Sequence, residues 1–147
     1  MTAGKVIDFD DLDKDIQELI HEAMNVREKA YCPYSNFQVG AALRCEDGTI
    51  STGCNVENAA FAAGVCAERA AISKAISEGK RKFSALAVVA KSVDGAATSP
   101  CGVCRQMLAE FGDIPIYLAP PDMKKVLRTS LRELLPFSFG LNGVIFE

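Results

Sequence analysis

The sequence lacks a long apolar run, and we expect it to have no secretory leader. No stretch approaches the roughly 18 consecutive apolar residues typical of a membrane span. The first 15 residues are polar and acidic, without the apolar core of a signal peptide. We therefore expect an intracellular, cytoplasmic protein that has no membrane partner.

The sequence also lacks an excess of positive charge. Its 16 basic and 19 acidic side chains give a net charge of −3 and a pI near 5.2. Proteins that bind nucleic acid generally present a basic surface, so we do not expect nucleic acid as a partner. No glycine-rich phosphate-binding loop is present either, which argues against a nucleotide substrate.

Histidine and disulfide-forming cysteine are scarce as well. The one histidine, His21, has no neighbour at ligand spacing and is predicted to be an ordinary helix residue. Six cysteines in 147 residues are fewer than a disulfide scaffold carries, and an intracellular location keeps thiols reduced. We expect one domain over residues 1–147, with a loose lead-in at 1–10 and no internal repeat or linker.

Hydrophobic periodicity and turn residues define the predicted elements. Helices are predicted over 11–30, 66–78, 99–111 and 130–135, and strands over 37–45, 49–55, 84–90, 114–118 and 126–129. Ser99 is a favoured N-cap residue and Pro100 a favoured first residue of the third helix. This order predicts an α/β sandwich, in which helices cover both faces of a five-stranded sheet.

Two short motifs carry the chemistry. Cys66-Ala67-Glu68 is followed by Pro100-Cys101-Gly102-Val103-Cys104, a C-x-E and P-C-x-x-C pair that is the known signature of zinc deaminases. Structural zinc has four protein ligands, whereas catalytic zinc has three and leaves the fourth place to water. Three thiols thus predict one catalytic zinc per chain, and Glu68 is the candidate base that takes the proton of the water.

The helical context sets a condition on this site. Cys101 and Cys104 share a helix face, and Cys66 starts another helix. If the two helix N-termini converge, their dipoles and the Arg69 guanidinium offset the negative charge of three thiolates. Cys66 and Glu68 would point apart within a regular helix, so their motif must straddle a helix end.

Two other interpretations of the cysteines stay open at this point. The three thiols could be ordinary core residues, which is what we expect for Cys32, Cys45 and Cys54. Alternatively, the site could be a structural zinc in an interaction module, with Cys54 as a possible fourth ligand.

The chain resembles the small cytidine deaminases that have three cysteine ligands. The resemblance runs from about residue 34 to 140 and includes the segments Tyr34-Ser35-Asn36-Phe37, Val39-Gly40-Ala41-Ala42, Gly53-Cys54-Asn55-Val56-Glu57-Asn58-Ala59, Cys66-Ala67-Glu68-Arg69, Ser99-Pro100-Cys101-Gly102-Val103-Cys104-Arg105-Gln106, Glu133-Leu134-Leu135-Pro136 and Ser138-Phe139-Gly140. Blasticidin-type deaminases share the zinc motifs, and the segment from Asn55 to Ala59 distinguishes the chain from them.

The resemblance implies a three-layer α/β/α sandwich with a five-stranded mixed sheet, and a homotetramer with shared active sites. It implies hydrolytic deamination of cytidine and 2′-deoxycytidine in pyrimidine salvage, with a free nucleoside as substrate. The implied zinc ligands are Cys66, Cys101 and Cys104, with Glu68 as proton shuttle and Arg69 beside the thiolates. The implied substrate contacts are Asn55 and Glu57 with the ribose, Phe37 with the pyrimidine, the Ala67 N–H with the base carbonyl, and Phe139 in the site of a neighbouring subunit.

One residue departs from the family pattern: Phe61 stands where the family is expected to have tyrosine. Whatever contact that hydroxyl makes is missing here. A deaminase that acts on a polynucleotide or on another amino-heterocycle is the alternative enzyme, and the low pI argues against the polynucleotide.

Overall fold

The computed structural model describes residues 4–140. In chain order the elements are β1 (Lys5–Asp8), α1 (Lys14–Arg27), β2 (Val39–Cys45), β3 (Ile50–Cys54), α2 (Ala67–Ser77), β4 (Phe83–Ala90), α3 (Gly102–Ala109), β5 (Pro115–Ala119), β6 (Lys125–Ser130) and α4 (Leu131–Leu134). Two short 3₁₀ turns lie at Phe9–Asp11 and Phe61–Ala63. No helix within residues 4–140 is long and apolar enough to cross a membrane.

The six strands form one mixed sheet in the order β1-β6-β5-β4-β2-β3. Only β4 and β5 are parallel, and the connection between them contains α3. All other neighbours are antiparallel. The N-terminus of α3 therefore follows the carboxyl end of β4, near the centre of the sheet.

Alternating side chains on the central strands build two apolar layers. On β2, Ala42 faces the layer that contains Leu19 and Ile20 of α1, while Leu43 faces the layer that contains Ile72 of α2. All five of these side chains are fully buried. Helices thus cover both faces, and the predicted three-layer α/β/α sandwich is confirmed.

The sheet has six strands, and the prediction of five was wrong. Residues 5–8, expected to belong to a loose lead-in, form β1 and pair antiparallel with β6 at the sheet edge. Only Ile7 of the four is even half-buried, so the segment lacks the apolar alternation that indicates a strand. Its pairing depends on partners more than 100 residues away, such as Arg128 opposite Lys5.

The third helix begins later than predicted. Its N-cap residue is Cys101, and its first helical residue is Gly102. Ser99 therefore lies two residues before the N-cap residue, and its hydroxyl accepts a hydrogen bond from Arg105 Nη2 at 2.8 Å. At α4, which was predicted over 130–135, Ser130 is the N-cap residue, and it exchanges hydrogen bonds with Glu133 in a capping box. Of the predicted tail, residues 141–147 lie outside the described chain.

Two glycines allow helices to approach the sheet closely. A Cβ atom at Gly53 of β3 would lie 2.5 Å from the Ala67 carbonyl oxygen of α2. A Cβ atom at Gly40 of β2 would lie 2.0 Å from the Ala23 carbonyl oxygen of α1. Both distances are impossible for real atoms, so these positions require glycine for the helices to lie where they do.

Candidate active site and metal centre

The predicted metal ligands lie at the N-termini of two helices. Cys66 is the N-cap residue of α2 and Cys101 the N-cap residue of α3, both with extended backbone. Cys104 lies in the first turn of α3 and is fully buried. The C-x-E motif therefore straddles the helix end, as its chemistry requires, and two positive dipole ends meet at the thiols.

The three sulfur atoms are close enough to share one ion. The Sγ atoms of Cys66 and Cys101 are 3.8 Å apart, and those of Cys101 and Cys104 are 3.5 Å apart. All three lie within 4.8 Å of one another. Zinc with tetrahedral bonds of about 2.3 Å to sulfur would place its ligands about 3.8 Å apart. Both the spacing and the all-thiolate donor set therefore fit zinc.

Glu68 lies beside the thiol cluster. It is the second residue of α2 and only 4% exposed. Its Oε2 atom accepts a hydrogen bond from the Cys104 thiol at 3.3 Å. Burial raises the pKa of its carboxyl above the ordinary value. A buried carboxyl of this kind exchanges protons closer to neutral pH than an exposed one does.

Electrostatics prepare one of the thiols as a thiolate. Hydrogen bonding by the Cys104 thiol, and then by Arg69, lowers the pKa of Cys66 to about 5. In the reciprocal direction, the Cys66 thiolate raises the pKa of Cys104. Arg69 Nη2 lies 3.8 Å from Cys66 Sγ and 3.5 Å from the Gly64 carbonyl oxygen. Arg69 is thus the charged neighbour that the sequence predicted for the thiolates.

Cys54 does not join the thiol cluster. Among the described residues, the group that could hold a metal contains Cys66, Cys101 and Cys104 only. Cys32 and Cys45 are buried elsewhere, as expected for core cysteines. The donor set therefore offers three ligands, which is the number that a catalytic zinc uses.

Asn55 and Glu57 anchor the segment before β2. Asn55 Oδ1 accepts from the Val39 N–H at 2.9 Å, and its Nδ2 donates to the Phe37 carbonyl at 2.8 Å. Glu57 Oε1 accepts from the N–H groups of Tyr34 and Ser35 at 3.0 and 3.1 Å. Glu57 Oε2 accepts from the Ser35 hydroxyl at 2.5 Å. Chiefly through this last bond, the pKa of Glu57 lies below its ordinary value.

A cleft of about 310 Å³ connects these residues with the thiol cluster, and it is lined by Tyr34, Asn55, Val56, Glu57, Asn58, Phe61, Gly64, Val65, Cys66 and Arg69. The predicted ribose contacts therefore share one cavity with a predicted metal ligand. Phe61, where tyrosine was expected, also lines the cleft and is 87% exposed.

The remaining predicted contacts lie at different depths. Ala67 is fully buried at the start of α2, and Phe37 is half-buried beside Asn55. Phe139 is 88% exposed and does not line the cleft formed by residues 34–69. Its carbonyl oxygen accepts from Gln106 Nε2 at 2.8 Å, which ties it to α3. Of the predicted site residues, the cleft thus contains Asn55, Glu57, Cys66 and Arg69. Cys101, Cys104 and Glu68 join it through the thiol cluster, whereas neither Phe37 nor Phe139 lines it.

Sequence reasoning missed the roles of Ser35 and Arg105. Ser35 bonds to Glu57, as above, and Arg105 joins the start of α3 to the end of α4. Its Nε donates to the Pro100 carbonyl at 2.7 Å and its Nη1 to the Leu134 carbonyl at 2.6 Å. Both residues stand inside the segments that carry the resemblance, but Glu57 lies 22 positions from Ser35 and Leu134 lies 29 positions from Arg105.

Comparison with known proteins agrees with this geometry. The family profile described as "Cytidine and deoxycytidylate deaminase zinc-binding region" matches residues 13–119. The chain belongs to this deaminase family. The predicted resemblance is thereby confirmed, and so is zinc as the cofactor, because the matching region is itself a zinc-binding one and the three thiols fit that ion.

Curated members of the deaminase family are similar over most of their length. A cytidine deaminase of Sporosarcina psychrophila is 51% identical over 86% of this chain and 92% of its own. A probable cytidine deaminase of Dictyostelium discoideum is 40% identical over 90% of this chain and 88% of its own. A blasticidin-S deaminase of Bacillus cereus is 31% identical over 71% of this chain and 78% of its own.

Solved structures of cytidine deaminases share the fold. That from Burkholderia pseudomallei has a TM-score of 0.78 at 44% identity, over 83% of this chain and 97% of its own. That from Mycobacterium tuberculosis has a TM-score of 0.72 at 39% identity, over 88% of this chain and 100% of its own. The fold and the family prediction therefore agree.

Proposed function

We propose that this deaminase hydrolyses cytidine and 2′-deoxycytidine to uridine and 2′-deoxyuridine, with release of ammonia, in pyrimidine salvage. The observation that carries the proposal is the position of the buried Glu68 carboxyl, 3.3 Å from Cys104 within a cluster of three thiols. Relatives named cytidine deaminase, with identities up to 51%, support the choice of substrate.

In the proposed mechanism, Cys66, Cys101 and Cys104 hold the zinc. When bound, zinc supplies a Lewis acid that makes water nucleophilic at neutral pH. Glu68 accepts a proton from the water that attacks C4 of the pyrimidine and delivers it to N3. It then takes the proton of the new hydroxyl on C4 and passes it to the amino group, which leaves as ammonia while C4 becomes the carbonyl carbon, so that one carboxyl serves each transfer.

The surroundings of Glu68 suit this role. Because burial raises its pKa, the carboxyl takes and gives protons at a pH closer to neutral than an exposed carboxyl does, which favours general acid–base catalysis. Arg69 and the two helix N-termini balance the negative charge of the thiolates and of Glu68.

The substrate contacts are also part of the proposal. Asn55 and Glu57 bind ribose hydroxyls, Phe37 packs on the pyrimidine, and the Ala67 N–H binds the base carbonyl. A carboxylate offers about four acceptor positions. Glu57 uses three of them on Tyr34 and Ser35, which leaves one for a sugar hydroxyl.

We further propose a homotetramer in which Phe139 completes the site of a neighbouring subunit. Phe137 and Phe139 are 84% and 88% exposed in the described chain, which is unusual for two neighbouring aromatic side chains. The proposed location is the cytoplasm, where reducing conditions keep three zinc-binding thiols from oxidising.

Ammonia release from the zinc-loaded protein tests the proposal. Free cytidine and deoxycytidine should both react, whereas a cytidine-containing RNA oligonucleotide should not. Blasticidin S is the essential comparison, because a blasticidin-S deaminase is among the relatives. A higher kcat/KM for blasticidin S than for cytidine would replace the proposed substrate with another amino-heterocycle. Inactivity on every one of these substrates would refute the deaminase proposal.

A further inference from the structure

The Ser35 hydroxyl stands between two of the proposed substrate contacts. It donates to Glu57 Oε2 at 2.5 Å and accepts from the Phe37 N–H at 3.0 Å. A hydroxyl has a single proton to donate. Because the proton of the Ser35 hydroxyl goes to Glu57, its lone pairs are left to accept from Phe37. One oxygen atom therefore holds the Glu57 carboxylate and the Phe37 backbone in a fixed relative position.

We infer that Ser35 is a positioning residue for nucleoside binding, which orients the Glu57 carboxylate and the Phe37 backbone toward the same sugar and base. The inference rests on the proposed function and adds a residue to it. Ser35 acts through Glu57 and Phe37, so its removal should weaken binding and leave the chemical step nearly unchanged.

The two oxygens of Glu57 are held differently. Oε1 is fixed by two backbone N–H groups, those of Tyr34 and Ser35. Within residues 4–140, Oε2 has the Ser35 hydroxyl as its hydrogen-bond partner. A bond of 2.5 Å from a hydroxyl to a carboxylate is a strong, charge-assisted one. Without the hydroxyl, only the two hydrogen bonds to Oε1 orient the carboxylate. The free acceptor position on Oε2 then has no fixed direction toward the sugar hydroxyl.

The turn that carries Ser35 is anchored independently of its hydroxyl. Asn36 has a left-handed backbone, with φ of 55°, and its N–H donates to the Cys32 carbonyl at 2.9 Å. Asn55 holds Phe37 and Val39 from the other side. These bonds remain when the hydroxyl is removed, so we expect the turn to keep its fold while the carboxylate loses its orientation.

The thiol cluster does not depend on Ser35. The hydrogen bonds described for Ser35 go to Glu57 and Phe37, and those of the cluster go to Glu68, Arg69 and one another. Zinc content and kcat should therefore be insensitive to a change at this position.

The experiment compares Ser35→Ala with the wild type on cytidine. Loss of a hydrogen bond to a charged group typically weakens binding by about tenfold or more. We expect KM to rise about tenfold, with kcat within about threefold of the wild type. Ser35→Thr keeps the hydroxyl and should restore most of the affinity. Ser77→Ala is the matched control, because it removes a hydroxyl that donates to the Ser73 carbonyl at the far end of α2.

A double-mutant cycle separates positioning from a general structural role. If Ser35 acts through Glu57, adding Ser35→Ala to Glu57→Gln should raise KM much less than Ser35→Ala does alone. The inference would be overturned if the two substitutions raised KM by independent, multiplicative factors, or if Ser35→Ala left KM unchanged.

The pH profile gives an independent readout. The Ser35 hydroxyl is the main cause of the lowered pKa of Glu57. In Ser35→Ala the weakening of cytidine binding at acid pH should begin at a higher pH than in the wild type. An unchanged pH profile would count against the positioning role.

Failure of the inference can be distinguished from failure of the proposed function. If the wild type releases no ammonia from cytidine, the proposed function is wrong and so is the inference. If the wild type is active and Ser35→Ala matches it in KM, only the inference falls.

Discussion

Glu68 Oε2 and Cys104 Sγ lie 3.3 Å apart, although 36 positions separate the two residues in the sequence. One comes from the first turn of α2 and the other from the first turn of α3. The candidate proton shuttle and a candidate metal ligand therefore meet because two helix N-termini converge, and neither helix holds the site alone.

The first prediction concerns Glu68→Gln. The variant should keep its zinc, since three thiols remain, and should keep its fold, since glutamine fills the same space. Turnover of cytidine should fall by at least about 10²–10⁴-fold, because an amide cannot carry protons between water, N3 and the amine. Zinc content, Tm and kcat are the measurements, with the exposed Glu46→Gln as control. Loss of zinc in Glu68→Gln would make Glu68 a ligand, and turnover within tenfold of the wild type would remove its role as shuttle.

The second prediction concerns the metal. Cys101→Ala should lower the zinc content below one ion per chain, because two thiols and water hold zinc much more weakly than three thiols do. Cys54→Ala should keep full zinc, since Cys54 lies outside the cluster. Zinc analysis of both variants after dialysis decides the matter. Full zinc in Cys101→Ala, or loss of zinc in Cys54→Ala, would contradict the assigned ligand set.

The third prediction distinguishes nucleoside from nucleotide. The pKa of Glu57 is lowered, so its carboxylate is charged at neutral pH and should repel a phosphate on the sugar. We expect kcat/KM for cytidine monophosphate to be at least about tenfold below that for cytidine. In Glu57→Gln the difference in kcat/KM between cytidine and its monophosphate should become smaller. Equal specificity constants in the wild type would show that phosphate is tolerated.

The fourth prediction concerns assembly. Sedimentation of the wild type should show a tetramer, and Phe139→Ser should weaken both assembly and cytidine binding. Val93→Ser is the matched control, because Val93 is also more than half exposed but lies in the loop after β4. A fully active monomer, or normal assembly and activity in Phe139→Ser, would refute the shared site.

The fifth prediction concerns acid stability. Lys80, together with Thr49, lowers the pKa of Asp47 to about 2 from its ordinary 3.8. A carboxylate with a lowered pKa in the folded state adds stability above its unfolded pKa, and this stability disappears as the pH falls from about 4 to about 2. Asp47→Asn should therefore lower Tm slightly at pH 7 and not at pH 2.

The control for the fifth prediction is Asp122→Asn. Asp122 also accepts from a backbone N–H two residues later, that of Lys124, at 3.0 Å. Among the described residues it forms no ion pair like that of Asp47 with Lys80. Asp122→Asn should leave Tm nearly unchanged at both pH values. An equal fall in Tm in Asp47→Asn and Asp122→Asn would show that the effect comes from the side-chain bond to the backbone N–H and not from the ion pair with Lys80.

Much of the fold could be predicted from local patterns. The helix around Leu19 and Ile20 and the strand at 84–90 have clear apolar periodicity, and the structure contains both. Strand β1 could not be predicted, because its few residues carry no pattern and its pairing with β6 is not local. The start of α3 was misplaced because Ser99 and Pro100 are residues favoured at a helix start, whereas the backbone becomes helical only at Gly102.

The site, too, has a part that local sequence predicts and a part that only the packing of the chain determines. Ligand spacing within Cys101 and Cys104 is local, so the sequence was sufficient to predict that pair. That Cys66 lies 3.8 Å from Cys101 depends on how α2 and α3 pack on the sheet, and the sequence could only state this as a condition. The role of Ser35 depends on a carboxylate 22 positions away and was not visible in any spacing.

The contact between β3 and α2 at Gly53 has a consequence for how this enzyme can change over evolution. There the two backbones touch directly, with no side chain between them to adopt a different rotamer. The same is true on the opposite face of the sheet, where Gly40 of the neighbouring strand meets α1. The direct backbone contact thus fixes where α2 begins, and with it the position of Cys66. Side chains farther along α2, such as Ile72, can therefore be exchanged for others of similar volume without moving the thiols.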